Sequence, residues 1–175
     1  MHSFSELANR CTNFSLAKIN ESYDLSVKAL SETGATPPLK NMQALNLQKM
    51  IHAVGLFSVY EAHLQRRLHC KNGFKKAKSI LEQAGEIALK DKFHYYYLAI
   101  NALKHGNGAS YNNLVAKFNN LDFVVDTPTT PTQEKGDVSG VEGLVLVDDN
   151  FIQNCLAVIT EVSECISKQL PDFLS

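Results

Sequence analysis

The stretch Asn101-Ala-Leu-Lys104-His105-Gly106 sets an amide, an ammonium and an imidazole side by side. Imidazole titrates closest to neutral pH, so His105 is suited to act as a general acid or base. Lys104 can hold an anion, and Asn101 can orient a polar group by hydrogen bonds. The spacing of apolar residues puts these groups on a helix over 86–104. His94, Leu98, Asn101 and His105 follow one another at steps of four, three and four. At about 100° per residue they fall within roughly 60° of one another, flanked by Tyr97 and Lys104. The opposite face, Tyr95, Tyr96, Ala99, Ile100, Ala102 and Leu103, is a packing face. The polar stripe therefore lines a cleft or a subunit interface. A solvated face, with Lys104 and His105 set against the negative end of the helix dipole, fits the same pattern.

A second break in pattern lies on a helix expected over 41–70. Leu47, Met50, Ile51, Val54, Phe57, Leu64 and Leu68 share one broad apolar face, and Glu61 sits in the middle of it. An isolated buried carboxylate costs several kcal/mol, so Glu61 is expected to find a partner across the core. That partner is either a structural link fixing helix register or a member of the His105 stripe. A further stripe, His52, Leu56, Val59, Tyr60, His63 and Arg67, faces away from Glu61, toward the first helix or a partner subunit.

Other chemistries find little support. Cysteines stand at 11, 70, 155 and 165 with no Cys-x-x-Cys pair, and no His-x-x-x-His pair occurs, so no metal and no cofactor is expected. Gly106-Asn-Gly108 follows a helix and lacks the Lys-Ser/Thr of a phosphate loop. Ser110, Ser139 and Ser163 have no nucleophile-elbow context. The lysines up to Lys78 read as a solvated helix face. The formal net charge is −1, which leaves any polyanion site to a local patch.

These side chains need a scaffold, and the 175 residues suffice for one domain, 1–175, with its own core. The pattern predicts a mainly α-helical, up-down helical bundle. Helices are expected over 3–32, 41–70, 74–84 and 86–104, with a short one capped by Ser110. Asn72-Gly73 is read as the end of the second helix. Asp122–Asp126 and Gly143–Val147 read as a small two-stranded antiparallel hairpin joined by a mobile polar loop over 127–140. A last helix, capped by Asp148 or Asp149, runs to about Leu170 and buries Cys155 as an inert core residue. No apolar run approaches the roughly 20 residues that span a bilayer. The opening residues lack the pattern of a secretory signal, and scattered cysteines suit a reducing compartment. A cytoplasmic protein with no membrane contact is expected.

The segment Ile100-Asn-Ala-Leu-Lys-His-Gly-Asn-Gly-Ala-Ser110, closing a helix in an all-helical chain, resembles the HEPN (higher eukaryotes and prokaryotes nucleotide-binding) superfamily. Val59-Tyr-Glu-Ala-His-Leu64 resembles the glutamate-bearing helix of several of its subfamilies. The terminal hairpin and helix are similar to HEPN-like proteins linked to phage defence and toxin–antitoxin loci. The resemblance implies a HEPN-like bundle, a homodimer, and RNA, a nucleotide or an antitoxin protein as partner. It also implies metal-independent endoribonuclease chemistry, in which an arginine precedes a histidine on one helix. Carried over to this chain, Asn101 and His105 take the polar and histidine positions, with Lys104 beside them. Glu61, His94 and Tyr97 are the expected binding or orienting residues. Ile100 stands where the arginine belongs. A guanidinium would then have to come from Arg66 or Arg67. A non-catalytic dimeric binding or assembly module is the alternative.

Overall fold

The computed structural model describes residues 3–33, 36–126, 144–170 and Phe173. Among them are six α-helices: α1 (Phe4–Thr33), α2 (Thr36–Arg67), α3 (Gly73–Gln83), α4 (Ile87–His105), α5 (Ala109–Val115) and α6 (Asp149–Gln169). The chain is mainly helical, as its periodicity indicates, and the helices form a bundle. No helix among the described residues is long and apolar enough to cross a membrane.

The boundaries follow from local chemistry. The second helix starts at Thr36, not at 41, because Pro37 and Pro38 occupy its first turn, where a missing N–H leaves no bond unmade. It stops at Arg67, not at 70. There His69 adopts a left-handed backbone with φ +48, and Cys70 N–H donates back to the Gln65 carbonyl at 3.1 Å. This reversal closes the last free carbonyls of the helix, a role glycine usually fills. Gly73 does not end α2 but opens α3, after Asn72 accepts the Lys75 N–H at 2.8 Å as the cap. Gly106, at φ +73, ends α4 and donates its N–H to the Ala102 carbonyl. Ser110 is not a cap. Gly108 precedes α5, and Ser110 lies inside that helix. Asp148 caps α6 by accepting the Phe151 N–H at 2.7 Å.

The expected two-stranded hairpin is not formed. Among the described residues there is no strand, only a single antiparallel bridge between Val125 and Val145. The segment is held to the helices instead. Tyr96 donates from its hydroxyl to Asp122 at 2.9 Å, and Tyr111 to the Asp126 carbonyl at 2.6 Å. Two backbone bonds flank the bridge, Asp126 N–H to the Leu144 carbonyl at 3.1 Å and Leu146 N–H to the Val124 carbonyl at 3.0 Å, and among the described residues the pairing goes no further. The loop expected over 127–140 lies outside the described residues.

The C-terminal helix α6 is the centre of the bundle, packed against α1, α2, α3 and α4. Phe151, Ile152, Cys155, Ile159, Val162 and Ile166 line its inward face, all at 1% exposure or less. Burial holds the Cys155 thiol well above its ordinary pKa, so it stays protonated and inert. Around α6 the aromatic rings of Phe57, Phe74 and Phe93 meet at centroid distances of 5.4–6.3 Å. The fully buried Tyr60 shares a hydrogen bond with Ser163 at 3.0 Å. One ion pair joins three helices. Lys49 of α2 reaches Asp149 of α6 at 2.7 Å, and Asn20 of α1 donates to the same carboxylate. Burial opposes the Asp149 charge, but these two donors outweigh it and hold the carboxyl below its usual range.

The α2–α3 approach leaves no space at Gly73. A Cβ there would sit 2.7 Å from Leu64 Cβ and 2.8 Å from the Glu61 carbonyl oxygen. The obstacles include backbone, which cannot move aside. Gly73→Ala is expected to cost about 1–3 kcal/mol, the usual penalty for forced overpacking. Urea denaturation followed by circular dichroism measures it, and an unchanged midpoint would refute the close approach.

Candidate functional site

A cavity of about 270 Å³ opens between α2, the start of α3 and the end of α4. Its apolar side is built by Phe57, Phe74 and Ile100, all buried. Its polar side carries Glu61 and Ser58 from α2 and Tyr97, Asn101, Lys104 and His105 from α4. The two pattern breaks of the sequence, on helices 2 and 4, therefore face the same space. The route is simple. Burying Phe57, Tyr60 and Leu64 turns α2 so that Glu61 points toward α4. Burying Tyr96, Ala99 and Leu98 turns α4 so that Asn101 and His105 point back.

Glu61 differs from its sequence expectation in one respect. It is half-buried, and its carboxylate makes no hydrogen bond or ion pair among the described residues. The side chain lies at the cavity edge and not across the core, so no predicted partner meets it among the described residues. Asn101 is also half-buried, while Lys104 and His105 are exposed at the mouth. His105 is the last residue of α4, so the Gly106 reversal leaves its ring unobstructed by further helix. Ile100 is 4% exposed and forms part of the apolar wall. Arg66 and Arg67 line a different cavity, so neither supplies a guanidinium here.

His94 is not among the residues around this cavity. It stands behind Tyr97, its ring stacked on the phenol at 6.3 Å and its Nδ1 3.3 Å from the Lys78 ammonium. Lys78 in turn lies over the Tyr97 ring, 5.5 Å from its centroid. Lys78 belongs to the cluster that reads as a solvated helix face. The overlooked signal is the spacing of Phe74, Lys78 and Leu81, which shares one face of α3 with two core residues. Sequence reasoning also missed Ser58, Phe57 and Phe74 as cavity residues. Of the His52–Arg67 stripe, His52 and His63 contact the first helix, whereas Val59 is exposed. His52 Nε2 is 3.1 Å from Thr12 Oγ1, and Phe4 stacks on His63 at 4.9 Å.

Among the described residues no group of three His, Cys, Asp or Glu side chains is placed to hold a metal ion. The cavity offers instead one carboxylate, one imidazole, one ammonium and three neutral hydrogen-bonding groups, a set capable of proton transfer at an anionic substrate. Comparisons with protein-family models, curated proteins and solved structures find no match to this chain.

Burial, and then the Lys78 charge, hold the His94 pKa below its ordinary value. A base with a depressed folded-state pKa binds fewer protons folded than unfolded. Its neutral form therefore favours the fold above the ordinary histidine value, and that contribution is lost as pH falls below it. Removing the ammonium in Lys78→Met should raise the His94 pKa, read by NMR titration of the ring protons. A fall, or no change, would show that the Lys78–His94 contact carries no electrostatic weight.

Proposed function

We propose that this chain is a HEPN-like protein of a bacterial defence or toxin–antitoxin type that acts on RNA at the Glu61–His105 cavity, as a metal-independent endoribonuclease. The observation that supports it is the meeting of Glu61, Asn101, Lys104 and His105 around one small space. In this reading one of Glu61 and His105 takes the proton from a ribose 2′-hydroxyl. The 2′-oxygen attacks the adjacent phosphorus, and the bond to the 5′-oxygen breaks. The second group protonates that leaving oxygen, giving a cyclic phosphate and a free 5′-hydroxyl. Lys104 offsets charge on the phosphate oxygens, and Asn101 orients the ribose. The cavity volume is just below the range of about 300–1,000 Å³ typical of ligand pockets. It suits a single ribose–phosphate step with the bases left outside.

A second reading has one specific observation in its favour. Ile100, buried, takes the position at which the resemblance expects an arginine. A chain that lost this guanidinium would serve as a non-catalytic dimeric binding or assembly module. The partner in that case is a second copy, or an antitoxin protein, covering exposed apolar side chains of α1 and α2. Phe14 is 70% exposed, Leu25 64% and Ile51 62%.

Cleavage of mixed-sequence RNA oligonucleotides in excess EDTA separates the readings. The endoribonuclease cleaves under these conditions. His105→Ala and Glu61→Gln then each lower the rate by about 10²–10⁴, the usual worth of a general acid or base. Equal background in wild type and both variants rejects catalysis. A dimer in sedimentation that Ile51→Glu dissociates would then favour the assembly module.

A further inference from the structure

A second cavity, of about 800 Å³, lies on the other side of α2 and shares no residue with the first. It brings Arg66 and Arg67 from the end of α2 together with Lys76 from the start of α3. The rest of its wall is Leu68, Leu170 and Phe173, together with the imidazoles of His63 and His69. Among the described residues, no acidic side chain lines it. The whole sequence contains three arginines, and two of them are here. No side-chain hydrogen bond or ion pair of Arg66, Arg67 or Lys76 occurs among the described residues.

Helix capping does not explain this concentration. Arg66 and Arg67 suit the negative end of α2, but Lys76 sits near the positive end of α3, where the dipole opposes a cation. His63 completes the wall as a flat ring held between Phe4 at 4.9 Å and the edge of Phe173 at 5.6 Å. Burial, then Arg67 and Arg66, hold its pKa below the ordinary value, so at neutral pH the ring is uncharged. The cavity thus has three basic side chains on one side and mainly apolar or aromatic surface on the other.

We propose that this cavity binds a small organic phosphate, its phosphate held by Arg66, Arg67 and Lys76 and its apolar or aromatic body set against Leu68, Leu170 and Phe173. Three unpaired cations around one space match a group carrying nearly two charges and three acceptor oxygens better than a single carboxylate. The planar arginine forks fit phosphate oxygens in pairs. A concave, apolar-walled cavity buries a compact ligand. An RNA backbone would instead call for an open basic groove with stacking rings along it.

Calorimetric titration with 1-naphthyl phosphate, inorganic phosphate and 1-naphthol tests this directly. Naphthyl phosphate should bind saturably and at least about tenfold more tightly than either fragment, since both halves of the cavity contribute. Arg66→Ala/Arg67→Ala should weaken it by about tenfold or more, the usual worth of a charge-assisted hydrogen bond. Lys76→Ala, at an exposed position that leaves the fold intact, should weaken it in the same direction. His105→Ala should leave it unchanged, so this result stands or falls apart from RNA cleavage. Absence of saturable naphthyl phosphate binding, equal affinity for inorganic phosphate, or binding indifferent to all three cations would overturn the proposal. So would binding of a single-stranded RNA oligomer without naphthyl phosphate.

Discussion

The rotation of α2 about its own axis is the constraint on which the rest depends. Phe57, Tyr60 and Leu64 are each at 1% exposure or less, and together they fix which side of that helix meets the core. Tyr60 sharpens the setting, because a buried hydroxyl must find a partner. It finds Ser163, which also donates to the Ile159 carbonyl one turn earlier on α6. Sliding or turning α2 would break this bond in a place where water could not replace it. Once α2 is fixed, its remaining faces have no freedom. Glu61 emerges beside α4, while His63, Arg66 and Arg67 emerge on the other side.

The small cavity is the space left where three helices cannot quite close. Gly73 lets α3 begin in contact with the α2 backbone, and Phe74 then fills the floor next to Phe57 and Phe93. Gly106 stops α4 one residue after His105. The polar groups are thus carried on helices whose inward faces are locked by aromatic packing, which favours a preorganised site over a loop-built one.

How much of this was legible in the sequence depended on the range of the interaction. Helical periodicity and caps are local, so the helices and the Asp148 cap could be read from short windows. Rotation arithmetic placed Asn101, Lys104 and His105 on one stripe and singled out Glu61, but it could not say that the two helices face each other. That takes the tertiary packing of Phe57, Phe74 and Ile100. Glu61 read as a core residue because periodicity tells direction and not depth. The hairpin misled for a similar reason. Val124, Val125, Val145 and Val147 have β-forming side chains, yet among the described residues they pair only around the Val125–Val145 bridge, while Tyr96 and Tyr111, distant in sequence, hold Asp122 and Asp126 to the helices. The partners of Lys78 and His94 were hidden because they lie on different helices.

The distribution of charge between the two cavities bears on both proposals. On α2, Arg66 and Arg67 are turned by about 140° and 240° from Glu61, so no side-chain rotation can bring a guanidinium to His105. Phosphate chemistry at Glu61 and His105 has only the Lys104 ammonium to draw on. That is a point charge without a planar fork, balanced by the carboxylate itself. The cavity near His105 is therefore suited to moving protons and poorly suited to gripping a polyanion. The cavity near Arg66 is the reverse, rich in cations and, among the described residues, without a carboxylate to act as base. Since α2 separates them and α3 touches both through Phe74 and Lys76, an anion drawn to the second cavity would bear on the same short helix that floors the first. Any coupling between the two would have to pass through the start of α3, where Gly73 allows no slack.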